Sequence, residues 1–281
     1  MTVDSDIASS QLLRAAIYPD STEPEDRVEY AYNRLGERKQ MAYQRGTLHD
    51  YEFDGLGRQI HDRVTTLGAG VDGAVRRISQ TYDVRGLVET ITSYDAAIGG
   101  DVVNEVKRVY NDLAQMVQEF QSHAGVVNET VTPKVEYSFA SGSANTVRPT
   151  ALKYPNGREL GFDYGSSTGN DSKLSRIGSI KDGSQPLVSY TYLGPDITVK
   201  AEYPQPEVEL TYIKLSGEPD GDAGDKYTGL DRFGRVVDIR WVKGTTDVER
   251  VKYGFDRASN RTWRKNVVAV SGQDEFYQYD G

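Results

Sequence analysis

The stretch YEFDGLGRQI, Tyr51 to Ile60, decides how the chain is read. Tyr51 and Phe53 alternate with Asp50, Glu52 and Asp54, the period of a strand with one aromatic and one wet face. Asp54 can cap a turn with its own side chain, and Gly55 and Gly57 tolerate positive φ. Arg58 then opens a second run, RQIHDRVTTL, rich in β-branched residues. Its guanidinium is within reach of the turn carboxylate, an exposed pair worth about 0–1 kcal/mol. Taken alone, Asp54 and Arg58 read equally well as a ligand site or as a hairpin corner. Repetition separates the two.

The phrase returns along the chain as VEYAYNRLGERKQM from Val28, ISQTYDVRGLVETI from Ile78, VKRVYNDLAQMV from Val106, GLDRFGRVVDI from Gly229, VKYGFDRASNRTW from Val251 and EFYQYDG from Glu275. An aromatic precedes Asp or Asn at Tyr32-Asn33, Phe53-Asp54, Tyr82-Asp83, Tyr110-Asn111, Phe255-Asp256 and Tyr279-Asp280. Turn glycines come next at Gly36 and Gly86, and Asp231, Gly234 and Arg235 complete another copy. The first four pairs lie 21, 29 and 28 residues apart and the last two 24. Weaker copies start at Val135, Glu159 and Val188. This period marks an array of supersecondary units. A hairpin of about 20–30 residues cannot bury its aromatic face alone, so each unit must stack on its neighbours. The expected organisation is a leading strand or partial repeat over 1–27 and an array over 28–281. A second turn type, YPD at Tyr18 and YPNG at Tyr154, would reverse the chain through Pro and Asn-Gly. No long helical period is present, and Ile7–Ala16 reads equally as a strand.

Composition agrees. The apolar fraction is 37% and mean hydropathy −0.60, low for a compact α/β enzyme, yet 19 Tyr, 7 Phe and 2 Trp are too many for a disordered tail. Tyrosine suits half-wetted strands because its hydroxyl reaches water. A charge of −9 argues against a nucleic-acid partner. Without cysteine, neither disulfides nor thiolate metal sites are available. No segment has the ~20 apolar residues of a membrane helix, and the N-terminus does not read as a signal peptide.

Four patterns invite other readings. GSSTG, Gly165–Gly169, matches a nucleophile elbow at Ser167, but a polar stretch comes after it and no His stands in a matching context. GAGVDG, Gly68–Gly73, matches a dinucleotide loop, yet the adjoining AVRRISQTYD alternates like a strand. The acidic loop Asp220–Asp231 places Asp220, Asp222, Asp225 and Asp231 near one another in sequence, a weak calcium candidate that lacks the required turn glycine. His49, His61 and His123 lack metal-ligand spacing, although His49 and His61 flank one turn and could approach each other. No catalytic residue, metal or cofactor is expected.

Aromatic-Asp-x-x-Gly-Arg followed by an apolar strand, repeated at this interval, resembles the YD-repeat or RHS-repeat family over roughly Val28–Gly281, most closely in YEFDGLGRQ. The resemblance implies an all-β array of antiparallel hairpins forming a spiral or barrel-like sheet with little helix. It implies a non-enzymatic segment of a larger secreted or cell-surface protein, part of a shell of the toxin-enclosing type or of an adhesion scaffold. Partners would then be further repeats of the parent chain and a C-terminal effector, with a glycan or protein surface partner as the alternative. The family's self-cleaving core region has no counterpart here, and after YQYDG the pattern calls for a further Gly-Arg and return strand.

Overall fold

The computed structural model describes residues 12–19, 26–142, 147–269 and 272–280. Residues Ile7–Gln11 of the ambiguous N-terminal segment, Asp20 of the first YPD and Gly281 lie outside them. The chain divides into two units, 1–137 and 138–281.

In the first unit, β1 (Ala15–Ile17), β2 (Arg27–Tyr32), β3 (Arg38–Ala42), β4 (Leu48–Phe53) and β5 (Gln59–Thr66) are followed by β6 (Arg77–Tyr82), β7 (Val88–Tyr94), β8 (Val102–Tyr110), β9 (Met116–Ser122) and β10 (Lys134–Phe139), which runs past the boundary. Each pairs antiparallel with its neighbour in sequence, giving an open meander. The second unit continues with β11 (Pro149–Lys153), β12 (Glu159–Asp163), the single helical turn α1 (Asn170–Lys173), β13 (Ser179–Asp182), β14 (Gln185–Leu193), β15 (Ile197–Tyr203), β16 (Val208–Thr211), β17 (Asp238–Lys243), β18 (Thr246–Phe255), β19 (Arg261–Asn266) and β20 (Glu275–Phe276), again paired in sequence order. The fold is all-β and antiparallel with almost no helix, as the repeat pattern requires.

Register sorts the side chains by face. In the first unit Tyr30, Met41, His49 and Val64 line up on one side of the sheet. The opposite side carries a row running across β5 to β9: His61, Ser79, Thr92, Glu105 and Ser122. Ser79, Thr92 and Ser122 of this polar row are buried, as is the adjacent Arg77. In the second unit, Tyr190, Ala201, Leu210 and Trp241 share one side, and Thr191, Lys200, Thr211, Arg240 and Arg250 form the row on the other. Thr211 and Arg240 are only 2% and 5% exposed. The polar sides thus hold much of what is buried. Such groups stay buried only when hydrogen-bonded, and among the described residues every buried side-chain nitrogen and oxygen has a partner. Apolar burial is sparse: Val28, Ala31 and Phe120 in the first unit, and Val188, Val199, Ala201, Leu230, Val242 and Val251 in the second.

Candidate functional site

The repeated feature is the corner. At Asp54 the backbone N–H donates to the Arg58 carbonyl at 2.9 Å, and the Gly57 N–H returns to the Asp54 carbonyl at 3.0 Å. The same two bonds recur at Asn33/Gly36, Asp83/Gly86, Asn111/Ala114, Asp231/Gly234 and Asp256/Ser259. The fourth residue of each corner has positive φ, 76° at Gly57, which glycine adopts without strain. Gly55 does not have positive φ, so only Gly57 supplies the conformational freedom that both glycines promised in the sequence. Where the aromatic strand residue meets its partner the register shifts by one, at Tyr32, Phe53, Tyr82, Tyr110 and Phe255.

Side chains complete the corner. Oδ1 of Asp54 accepts from the N–H groups of Leu56 and Arg58 at 2.9 and 3.0 Å, while Oδ2 accepts from Arg58 Nε at 2.7 Å. Asp231 does the same with Phe233 and Arg235, and Asp256 with Ala258 and Asn260. Where Asn replaces Asp, its amide donates instead: Asn33 Nδ2 to Glu37 at 2.6 Å and Asn111 Nδ2 to Gln115 at 2.8 Å. Asp therefore pairs with a donor four residues on, and Asn with an acceptor. In the Asp83 corner the donor is Arg85 instead, at 2.8 Å, with Leu87 in the later position.

The carboxylates respond to this setting. Arg58 holds Asp54 below the ordinary Asp range, and Asn260 does so for Asp256. At Asp83 and Asp231 desolvation pushes upward, but bonds from Leu87 and Arg85, and from Arg235, prevail and the pKa is lowered.

Successive corners are also tied to each other, which motif reading alone missed. The Tyr82 hydroxyl donates to the Gln59 carbonyl at 2.8 Å, Tyr110 to Val88 at 2.9 Å and Tyr279 to Arg261 at 2.9 Å. In each case the acceptor is the residue just past the preceding corner. The Arg58 guanidinium lies 4.2 Å from the Tyr82 ring centroid, and Arg235 lies 4.8 Å from that of Phe255. Arg85 reaches the Asn111 carbonyl at 2.6 Å. Asp280 sits after Tyr279 on exposed chain.

Two further corners have Tyr where Asx is expected; the one at Tyr43 went unread, and the one at Tyr154 was read as a different turn type. Tyr43 and Thr47 make the same backbone bonds around Gly46, and Tyr154 and Arg158 around Gly157. The YPNG turn is therefore not a two-residue Asn-Gly reversal. Positive φ falls on Gly157, and Asn156 Oδ1 accepts from the Arg158 N–H at 3.0 Å, a bond the Tyr side chain cannot supply.

The other candidates are dispersed. Asp222 holds Arg232 through both oxygens, which brings its pKa down to about 2. Asp220 pairs with Lys214, Asp231 with Arg235, and Asp225 caps the Tyr227 N–H. Among the described residues no three such groups converge on a metal position. His49 and His61 do not meet. Alternation puts them on opposite faces, His49 against Asp62 at 2.7 Å and His61 against Ser79 at 2.8 Å. Desolvation, then Arg63, lowers the His61 pKa. Ser167 is exposed, and the polar stretch after GSSTG contains the single turn α1. GAGVDG leads into β6 as a loop. Hydropathy gave no sign of the second unit's ion cluster. There Arg240 is held by Glu218 at 2.7 Å and Asp247 at 2.9 Å, and Arg250 by Asp238 at 2.6 Å.

Among the described residues no helix is long and apolar enough to cross a membrane. No protein-family model matches the chain, and no curated protein does. Solved structures do. The crystal structure of TcdB2-TccC3 without its hypervariable C-terminal region matches with a TM-score of 0.51 and 11% identity, over 90% of this chain and 13% of that one. The crystal structure of TcdB2-TccC3 matches with a TM-score of 0.50 and 12% identity, over 87% of this chain and 12% of that one. The chain thus spans only about an eighth of the length of the chains it matches. At such identities the likeness establishes the fold: an antiparallel strand array of the kind found within TcdB2-TccC3.

Proposed function

We propose that this chain is a non-enzymatic wall segment of a larger secreted or cell-surface protein, built from YD/RHS-type repeats and contributing to a shell or scaffold. The observation that carries this reading is the tie that runs from the Asp83 and Asn111 corners to the strand before each, Tyr82 to Gln59 and Tyr110 to Val88. Residues that repeat as the motif are engaged in joining one hairpin to the next. The fold likeness to TcdB2-TccC3 supports a place within a much longer chain, and the resemblance of the motif supports a shell that encloses an effector.

The test is activity-based labelling of the purified chain with a serine-hydrolase probe, together with prolonged incubation to look for self-cleavage. Neither labelling at Ser167 nor new fragments are expected; either would overturn the non-enzymatic reading. Joining a further hairpin of the same motif after Gly281 should raise the unfolding midpoint, as nearest-neighbour stacking demands. An unchanged midpoint would count against the wall.

A further inference from the structure

Each unit sets two arginines directly opposite each other on the polar side of its sheet, where like charges repel. In the second unit Arg240 and Arg250 face each other, and Glu218, Asp247 and Asp238 hold them at 2.7, 2.9 and 2.6 Å. In the first unit Arg63 on β5 stands opposite Arg77 on β6. Arg63 has one carboxylate, Glu52 at 2.9 Å, whose side chain is 54% exposed. Arg77 is only 8% exposed, yet among the described residues no carboxylate pairs with it. Its partners are neutral. Nε donates to Ser79 Oγ at 3.2 Å, and Nη1 donates to the Ala97 carbonyl at 3.4 Å, an oxygen that Arg63 Nη1 already takes at 2.8 Å. The guanidinium lies over the Tyr94 ring, 3.7 Å from its centroid. A buried cation in this setting is short of one negative charge.

Two donors remain open beside it. Nη2 of Arg77 bonds nothing among the described residues, and every buried side-chain nitrogen there has a partner, so Nη2 reaches the surface. Ser79 Oγ, which accepts from Arg77, also lies 2.8 Å from Nδ1 of its register partner His61. Arginine can only donate, so the Ser79 hydrogen is left for His61 Nδ1, and Nε2 becomes the donor of the imidazole. Nε2 likewise has no partner among the described residues. Glu105, farther along the same row, is taken by the Thr92 hydroxyl at 2.7 Å and the Val127 N–H at 3.0 Å.

We propose that Arg77 and His61, with Arg63 beside them, bind a small inorganic oxyanion of the sulfate or phosphate kind, which supplies the charge that carboxylates supply to the Arg240–Arg250 pair. The ligand is small because only one edge of the Arg77 guanidinium is open. Its donors belong to separate side chains, so oxygens pointing in several directions suit it better than one planar carboxylate, which a whole arginine fork would match. Desolvation and then Arg63 lower the His61 pKa, Glu52 opposes them, and Arg77 adds to the lowering. A bound dianion shifts that balance upward, so protonation of His61 and binding of the anion favour each other.

The experiment titrates the full chain with sodium sulfate, balanced by chloride at constant ionic strength, and follows the imidazole resonances of His49 and His61 by NMR. The His61 signals should shift saturably with a Kd of about 1–10 mM, while those of His49, on the opposite face, stay still. Binding should tighten about threefold or more between about pH 7.5 and pH 5.5 as His61 gains its proton. Arg77→Gln should weaken it about tenfold, and Lys39→Gln, at an exposed cation of the same unit, should leave it unchanged. No saturation by about 50 mM sulfate, an equal shift at His49, or an affinity that does not tighten in acid would overturn the proposal. So would a folded Arg77→Gln variant that binds as before. Should that variant not fold, the two histidine signals of the unaltered chain decide alone.

Discussion

The two units place polar rows in the same kind of position and satisfy them by different chemistry. Across β5 to β9 the row is largely a set of short-range hydrogen bonds: His61 to Ser79, Thr92 to Glu105 at 2.7 Å, and Ser122 to the Ala124 carbonyl. Across β14 to β18 it sets Arg240 directly opposite Arg250, and the repulsion is relieved only by Glu218, Asp238 and Asp247 reaching in from outside the row. A hydroxyl that loses its partner leaves one unsatisfied group; loss of the buried Arg240 guanidinium takes a partner from two carboxylates, Glu218 and Asp247, at once. The two rows therefore differ in how much depends on each member.

The sharpest way to break that comparison is Arg240→Met. Removing the cation between Glu218 and Asp247 should cost about 3 kcal/mol, at the low end for a broken buried pair because Glu218 is partly solvated. Both tryptophans, Trp241 and Trp263, belong to the second unit, so urea unfolding followed by fluorescence reports on it directly. The matching change in the first unit, Thr92→Val, leaves Glu105 Oε2 without its donor and should cost about 1–2 kcal/mol. It must be followed by far-UV circular dichroism. Equal losses in the two units would mean that packing, not charge, sets the stakes.

The corners allow a finer comparison within a single turn. Gly57→Ala forces an L-residue to a φ of 76° and brings the new methyl within 2.8 Å of Glu37 Oε1, an expected loss of about 1–2 kcal/mol. Gly55→Ala meets nothing within 4 Å and should not destabilise. Tyr110→Phe removes the hydroxyl bond to Val88 and should cost about 1 kcal/mol, a bond the Phe255 corner already forgoes.

The smallest effect separates Asp from Asn corners by pH. The folded pKa of Asp54 is depressed, so its contribution is fully present above the unfolded value of about 3.9 and is lost as pH falls through the lower folded one. The Asn111–Gln115 corner contains no titrating partner. Exchange protection of the Arg58 amide should fall in this acid window while that of Gln115 persists. A parallel decline would mean that the corner carboxylate is not what holds the turn.

The corners were legible from sequence wherever Asx and an aromatic stood together, because that chemistry is local: one side chain caps its own turn. Tyr43 and Tyr154 hid the same geometry, since the backbone pattern survives without the residue that advertises it. The glycines of Tyr51–Ile60 were only half read, because sequence cannot say which of two neighbouring glycines takes the left-handed position. The polar rows were not legible at all. In the first unit His61–Ser79 and Thr92–Glu105 join residues 18 and 13 positions apart through register, and in the second a buried Arg240 runs against every expectation from hydropathy. Gly254 is similar: a Cβ there would lie 1.9 Å from Trp263 Nε1, a contact made only once β18 and β19 are aligned.

The tyrosine ties have a direction. Each hydroxyl reaches back, over 23 residues from Tyr82, 22 from Tyr110 and 18 from Tyr279, to a strand synthesised earlier. No hairpin of these pairs waits for later sequence to secure that bond. Such a chain can be completed in the order in which it leaves the ribosome, each corner that carries a tyrosine tie locking onto a finished edge. The template for each addition is the last strand laid down.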